Sequence, residues 1–201
     1  MLKTDFYEQP TNELAKALLG KELVRWVDKV ELVGRVVEVE AYHQDGDEAA
    51  HSFNGKTQRN GVMFLSPGHL YVYLSYGMHC CMNVVAEPEG IGAAVLIRAL
   101  EPLKGLEYMA AVRSKAKHPR DYANGPGKAC QAFAISRRDN GLKLETKSLF
   151  LRDAPLKRTD IILQSPRIGI SKAIHLPWRY YLAGNPHVSA SKWNASGSVI
   201  A

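Results

Sequence analysis

The amino-acid sequence predicts a single α+β domain, spanning residues 1–201, in which a curved antiparallel β-sheet carries peripheral helices. Three observations lead to this prediction. The length of 201 residues is enough for one substantial core but short for two. Between residues 22 and 100, runs rich in valine and aromatic residues follow one another with little helical pattern between them. Such closely spaced strands favour antiparallel pairing, and helical periodicity appears only before and after them.

The first half of the chain predicts a short helix followed by strands. Thr11 is the expected N-cap of an amphipathic helix that ends at Leu19, just before Gly20. Valine-rich runs over 22–27 and 30–42 then predict a hairpin whose second strand is long. Three further strands are predicted, at His69–Ser75, Cys80–Val85 and Ala93–Leu100.

The second half begins with a helical pattern after Pro102 and then returns to short strands. Helices are predicted at Gly105–Lys115 and Gly127–Ile135, and Pro126 gives the second one a favourable entry. The remaining strands are predicted at Leu149–Arg152, Ile161–Leu163, Arg167–Ile170 and Tyr180–Leu182.

Charge and cysteine content narrow the functional classes. The chain has 26 Lys and Arg against 20 Asp and Glu, a net charge of +6 that favours a polyanionic partner. Cys80, Cys81 and Cys130 are odd in number and two are adjacent, which suits neither a disulfide framework nor a zinc ribbon. No signal peptide and no apolar run of membrane-spanning length are present. We therefore expect reduced thiols, a cytoplasmic location and no membrane association.

Three tyrosines lie within six residues, in Tyr71-Val-Tyr73-Leu-Ser-Tyr76. Strand alternation places Tyr71 and Tyr73 on the same face. Gly77 marks a turn, so Tyr76 is expected at an exposed tip. Aromatic surfaces gathered in this way suit the binding of a planar ring, although tyrosines also half-bury their rings in ordinary strands.

Polar side chains at unusual positions supply candidates for chemistry. Alternation along the second strand puts Glu38, Glu40 and Tyr42 on one face, where a carboxylate beside an aromatic surface is partly desolvated and poised to act as a base. Arg98 interrupts an apolar run and needs a carboxylate or phosphate partner. Asn83, in another apolar strand, must find hydrogen-bond partners or contact a ligand.

Two other segments leave alternatives open. His43, Asp45, Asp47, Glu48 and His51 offer mixed nitrogen and oxygen ligands to a metal ion, but they match no recognised metal-binding spacing. The segment Gly125-Pro-Gly-Lys128 opens a helix and lacks a nucleotide-binding pattern, so contact with a DNA backbone is favoured over nucleotide hydrolysis.

Taken in order, a series of motifs resembles the alkyladenine (3-methyladenine) DNA glycosylase family, and the resemblance covers nearly the whole chain. These motifs are Arg35-Val-Val-Glu-Val-Glu40-Ala-Tyr42, Asp47-Glu-Ala-Ala-His51-Ser52, Arg59-Asn60, Met63-Phe64, Pro67-Gly68-His-Leu-Tyr-Val-Tyr73, Tyr76-Gly77-Met78, Cys81-Met-Asn83, Leu96-Ile-Arg98-Ala-Leu-Glu-Pro102, Gly125-Pro-Gly-Lys128-Ala-Cys-Gln131-Ala, Arg167-Ile-Gly169 and Gly184-Asn-Pro186.

The resemblance implies a catalytic pair and a base-binding pocket. Glu40 is similar to the family's general base, which activates a water for attack on the sugar C1′, and Arg98 helps to hold that water and the carboxylate. The extruded base is implied to lie in a pocket formed by Tyr42, His51, Tyr73 and Asn83, the last of which discriminates against the exocyclic amine of guanine.

The resemblance also implies how the protein meets its substrate. Tyr76 matches the wedge that enters the duplex where the base has left, and Arg59 and Lys128 are expected at the DNA backbone. The implied partner is double-stranded DNA with damaged purines, bound by a monomer that needs no cofactor and no metal. Two departures from the family pattern, Gln58 and His79, leave substrate range and loop geometry open. The remaining alternatives are a metal-dependent hydrolase and a non-catalytic module that binds damaged DNA.

Overall fold

A computed structural model describes residues 1–201, which form nine strands and four α-helices. The strands are β1 (Glu22–Val27), β2 (Val30–His43), β3 (Leu70–Ser75), β4 (His79–Val85), β5 (Ala93–Lys104), β6 (Leu149–Arg152), β7 (Ile162–Ser165), β8 (Arg179–Leu182) and β9 (Ser198–Val199). The helices are α1 (Thr4–Tyr7), α2 (Thr11–Leu18), α3 (Leu106–Val112) and α4 (Pro126–Ala132), and four short 3-10 turns lie at Gly61–Phe64, Pro119–Asp121, Arg137–Asp139 and Lys192–Ala195.

All nine strands belong to one antiparallel sheet, in the order β3-β4-β5-β2-β8-β7-β9. The hairpin partner β1 pairs with the first half of β2, and β6 pairs with β1. The long strand β2 is therefore the centre of the sheet, because it contacts β1 and β8 along one side and β5 along the other. The predicted α+β class and antiparallel pairing are confirmed.

The core lies between the sheet and helices α2 and α4. Val37, Val39 and Ala41 of β2 are fully buried in it, as strand alternation predicts. Glu38 and Glu40, on the opposite face of β2, are fully buried as well. Both faces of the central strand are therefore covered, and the carboxylates on the second face need partners inside the protein.

Several local predictions differ from the structure. Thr11 is the first helical residue and not the N-cap; its backbone N–H donates to the Glu87 carboxylate at 2.9 Å and its hydroxyl contacts the same oxygen. The predicted strand Arg167–Ile170 is a loop, because its polar groups bond to β2 side chains and to Asp47 instead of a neighbouring strand. Helices α3 and α4 are shorter than predicted, and α1 and β9 were not predicted.

The three cysteines are free thiols, in agreement with the sequence prediction. None of the helices combines the length and hydropathy that a membrane-spanning helix needs.

Candidate active site

A cavity of about 510 Å³ opens beside the turn between β3 and β4. Its walls come from β2, β3, β4 and β5, from residues 48–63, and from the loop 168–172. Five aromatic rings line it, those of Tyr42, His51, Tyr71, Tyr73 and Tyr76. The volume lies in the range typical of small-molecule sites, and the aromatic walls suit a flat ligand.

The aromatic residues of β3 are stacked on each other and against a histidine. Tyr71 and Tyr73 have ring centroids 5.5 Å apart at an interplanar angle of 29°. The His51 ring meets Tyr73 edge-on, with centroids 4.5 Å apart. Tyr71 and Tyr73 thus share one face, as alternation predicts, and with His51 they form one continuous aromatic wall.

Tyr71 orients His51, a role that sequence reasoning did not assign to it. The Tyr71 hydroxyl lies 3.0 Å from His51 Nδ1. Burial raises the pKa of Tyr71, so its hydroxyl stays protonated and donates. Burial and the nearby Arg59 cation lower the pKa of His51 below its ordinary value. The imidazole is then neutral at pH 7, accepts at Nδ1 and carries its proton on Nε2.

This electrostatic effect gives a first prediction. In Arg59→Gln the pKa of His51 should rise, because removing a nearby cation favours the imidazolium form. An NMR titration of the histidine ring signals measures it. Lys172→Gln, which removes another cation of the cavity wall, is the matched control and should leave the pKa of His51 unchanged. An unchanged His51 pKa in Arg59→Gln would contradict the assignment.

Glu40 is fully buried, and its carboxylate is held by three donors. The backbone N–H of Ile168 donates to Oε1 at 2.8 Å. The Tyr42 hydroxyl and Arg98 Nη1 lie 2.8 and 3.3 Å from Oε2. All three donor residues line the cavity, whereas Glu40 itself lies directly behind them. The donors compensate the cost of burying the charge and connect the carboxylate to the cavity.

Tyr42 remains a donor to this carboxylate. Burial and the adjacent Glu40 charge raise the pKa of Tyr42 well above its ordinary value. Its hydroxyl is therefore protonated near neutral pH and fixes Oε2, while Oε1 has only the Ile168 N–H as a donor.

Arg98 reaches Glu40 from a β-bulge. Glu38 pairs with Ala99 and Val39 pairs with Ile97, so Arg98 has no partner residue on β2. A bulge of this kind re-aims a side chain, and here the guanidinium lies against both buried carboxylates, with Nε 3.2 Å from Glu38 and Nη1 3.3 Å from Glu40. The prediction that Arg98 needs a carboxylate partner is confirmed.

Glu38 and Glu40 share a face of β2 but belong to different surroundings. Glu38 Oε1 accepts from Arg179 Nε at 2.6 Å, and Oε2 accepts from the Ser189 N–H at 2.8 Å. Neither Glu38 nor Arg179 lines the cavity. Glu38 thus joins β2 to β8 and to the C-terminal segment and meets the cavity wall only through Arg98, whereas Glu40 contacts three residues of that wall.

The remaining predicted site residues occupy different parts of the cavity. Asn83 is buried in its wall and donates from Nδ2 to the Tyr71 carbonyl at 3.0 Å. Arg59 and Tyr76 line the cavity, and Tyr76 is 87% exposed at the predicted tip. Lys128 is exposed on α4, bonded to Asn124, and does not line the cavity.

The proposed metal ligands of residues 43–51 are dispersed. Asp47 is bound by both terminal nitrogens of Arg167, and His43 Nε2 lies 3.3 Å from Glu87. No group of three or more His, Cys, Asp or Glu side chains in the chain is close enough together to hold a metal ion. The metal-dependent alternative therefore has no assembled ligand set.

Arg167 was not predicted as a site residue, although it stands in one of the matched motifs. Its side chain is fully buried, and Nη1 also donates to the Ala41 carbonyl at 2.9 Å. The guanidinium lies 4.5 Å from the centroid of the Tyr42 ring. The following residues, 168–172, form one side of the cavity.

Comparisons with known proteins identify a family and several relatives. The family model described as "Methylpurine-DNA glycosylase (MPG)" matches residues 5–186. A protein of Chlorobium phaeobacteroides named "Putative 3-methyladenine DNA glycosylase" is 48% identical over 188 residues, covering 93% of this chain and 95% of that protein. Proteins of the same name from Methanocella arvoryzae and Bacillus cereus are 46% and 44% identical, covering 94% and 92% of this chain and 96% of each relative.

These matches confirm the resemblance read from the sequence motifs. The matched region includes every residue of the cavity wall, from Tyr42 to Lys172. The chain belongs to the methylpurine-DNA glycosylase family.

Proposed function

We propose that this DNA glycosylase excises 3-methyladenine and 7-methylguanine, and also hypoxanthine and ethenoadenine, from double-stranded DNA. The observation that carries the proposal is the arrangement of Tyr42, Arg98 and Ile168, which line an aromatic cavity and at the same time hold the buried Glu40 carboxylate. A base bound in this cavity has its sugar close to an anionic group. The product is an abasic site.

The substrate base must leave the duplex to reach the cavity. Extrusion costs a few kcal/mol, least for damaged or mispaired bases, so damage contributes to its own selection. Tyr76 fills the gap that the base leaves, and Arg59 and Lys128 contact the DNA backbone. The net charge of +6 favours such contacts. One copy of the protein binds one lesion.

Inside the cavity the base lies between Tyr42 on one side and His51 with Tyr73 on the other. In DNA, 3-methyladenine and 7-methylguanine are cationic, and a cation on an aromatic face gains on the order of 1 kcal/mol or more when desolvated. Asn83 rejects the exocyclic amine of guanine and so protects the normal base. Aromatic stacking thus supplies affinity for the base, and Asn83 supplies selectivity against guanine.

The reaction is hydrolysis of the N-glycosidic bond by a water that Glu40 activates. Departure of the base builds oxocarbenium character on the sugar, which the Glu40 carboxylate stabilises. Oε1 has one donor where Oε2 has two, so Oε1 is the oxygen that accepts the water proton. We expect the hydrogen bond between this water and Oε1 to form fully only when substrate is bound, as catalytic hydrogen bonds often do. No lysine acts as a nucleophile, and the chemistry needs no cofactor.

A competition assay tests this proposal. One duplex preparation carrying several lesions is incubated with the enzyme in EDTA, and the released free bases are identified by mass spectrometry. The proposal predicts release of alkylated purines that chelation does not change. Release that requires an added divalent metal would favour the metal-dependent alternative, and binding of damaged DNA without release would favour the non-catalytic one.

The wedge role of Tyr76 gives a second prediction. Tyr76→Ser should slow excision from a fully paired duplex by more than it slows excision from a mispaired site, because an unpaired base costs less to extrude. Single-turnover rates on the two duplexes measure the difference. Val199→Ser, which alters an exposed side chain on β9, serves as the surface control. Equal losses on both duplexes would exclude the wedge role.

A further inference from the structure

The two sides of the proposed base pocket differ in electrostatic character, and the difference arises at Tyr42. The Arg167 guanidinium carbon lies 4.5 Å from the centroid of the Tyr42 ring. The Arg167 side chain is fully buried and is not part of the cavity wall. It therefore covers the side of the ring that is turned away from the cavity, and only the opposite face or the edge of Tyr42 is available to a bound base.

The contacts of Arg167 leave a cation against the aromatic ring. Asp47 binds the guanidinium along its terminal nitrogens, at 2.6 Å to each, and the Ala41 carbonyl accepts from Nη1. Nε is buried and has no hydrogen-bond acceptor. The other close neighbours of the guanidinium are the rings of Tyr42 and Trp178, with Trp178 at 5.5 Å. The rings of Tyr42 and Trp178 thus lie close to the guanidinium, while Asp47 binds its terminal nitrogens.

A ring that already binds one cation is a poor partner for another. A base stacked on the free face of Tyr42 at ordinary contact distance would lie roughly 8 Å from the guanidinium, close enough for charges to interact where the surroundings have a low dielectric constant. The quadrupole of the ring attracts a cation on either face. Here Arg167 occupies one face of Tyr42, and its positive charge repels a cationic base on the other face. No lysine or arginine lies over Tyr73.

We propose that Arg167, held by Asp47, is a specificity-determining residue that makes the Tyr42 wall favour neutral purines over cationic ones. This inference rests on the proposed function and refines it. Cationic lesions obtain their cation–π attraction from the Tyr73 side of the pocket, while Tyr42 stacks neutral bases such as hypoxanthine without that bias. Cationic bases are already good leaving groups, so the enzyme can bind them less tightly and still excise them. A pocket that does so discriminates less against neutral lesions, which are less labile.

The test compares two lesions in one enzyme variant. Single-turnover excision of 7-methylguanine, which is cationic, and of hypoxanthine, which is neutral, is measured in the same duplex context. The double variant Asp47→Asn/Arg167→Met removes both members of the ion pair and leaves the net charge unchanged. We expect its ratio of the 7-methylguanine rate to the hypoxanthine rate to rise about threefold to tenfold over wild type. Arg167→Lys keeps the cation and should keep the wild-type ratio.

The ratio separates a specificity role from a supporting one. If Arg167 only supports the loop, both rates fall together and the ratio does not move, which would overturn the inference. Wild-type enzyme that excises 7-methylguanine but no hypoxanthine would also overturn it. If wild type releases neither base, the proposed function itself fails.

A second pair of variants tests the same inference with Arg167 and Asp47 intact. Tyr73→Leu should lower the ratio of the 7-methylguanine rate to the hypoxanthine rate by about threefold or more, because it removes the wall that attracts a cation. Tyr42→Leu should slow both lesions without lowering the ratio, because the Tyr42 wall favours neutral bases. A ratio that falls equally in the two variants would contradict the proposed asymmetry.

Discussion

Glu40→Gln is expected to lower the single-turnover rate of base release by about 100-fold to 10,000-fold, the range over which general bases act. Glutamine has nearly the same size as glutamate, but it neither accepts the water proton nor carries the charge that stabilises an oxocarbenium ion. Saturating enzyme on a duplex with one lesion isolates this step from binding. The loss should therefore appear in the rate of excision and not in the affinity for damaged DNA.

Glu38 supplies the matched control for this experiment. It lies two residues from Glu40 on the same face of β2, is equally buried and also contacts Arg98. Its other partners, Arg179 and Ser189, lie outside the cavity. Glu38→Gln should lower the free energy of unfolding while changing the excision rate far less than Glu40→Gln. Equal rate losses in the two variants, or a loss below tenfold in Glu40→Gln, would contradict the assignment of Glu40.

Arg98→Met is expected to lower the free energy of unfolding by about 3–5 kcal/mol, the usual cost of removing one partner from a buried ion pair. The variant leaves two fully buried carboxylates on one face of β2 without their shared cation. Glu38 keeps Arg179, so the larger part of the loss arises at Glu40, which keeps only Tyr42 and the Ile168 N–H. Urea denaturation measures the change.

An exposed ion pair provides the comparison for Arg98. Arg152 contacts Glu22 with its side chain 45% exposed, so Arg152→Met should cost no more than about 1 kcal/mol. Base release should also fall in Arg98→Met and stay unchanged in Arg152→Met. If the free energy of unfolding fell by the same small amount in the two variants, Arg98, Glu38 and Glu40 would not form a tightly coupled buried network.

Residue patterns within single segments predicted the strand β2, the anionic partner of Arg98 and the turn at Gly77. A valine-rich run placed β2 nearly to the residue, and alternation put the core residue Val39 and Glu40 on opposite faces of it. The cost of a buried charge required an anionic partner for Arg98, and the structure supplies Glu40. Gly77, at φ 73°, ends β3 in a turn and leaves Tyr76 at its tip, as predicted.

Contacts between distant segments were beyond local pattern. Arg167 and Asp47 are 120 positions apart, and nothing in either neighbourhood indicates that they pair. For the same reason the segment after Arg167 was interpreted as a strand, although it is the loop that delivers the Ile168 N–H to Glu40. Alternation also could not distinguish Glu38 from Glu40, because their difference arises from what β8 and the loop 168–172 place against them.

The identity of the products tests the central claim most directly. Wild-type enzyme is incubated in EDTA with a duplex that carries a single 7-methylguanine, and both the free base and the DNA strand are analysed. Hydrolysis of the N-glycosidic bond predicts free 7-methylguanine and an uncut strand that breaks at the lesion only after alkali treatment. No released base, or a strand cut without alkali, would contradict the account.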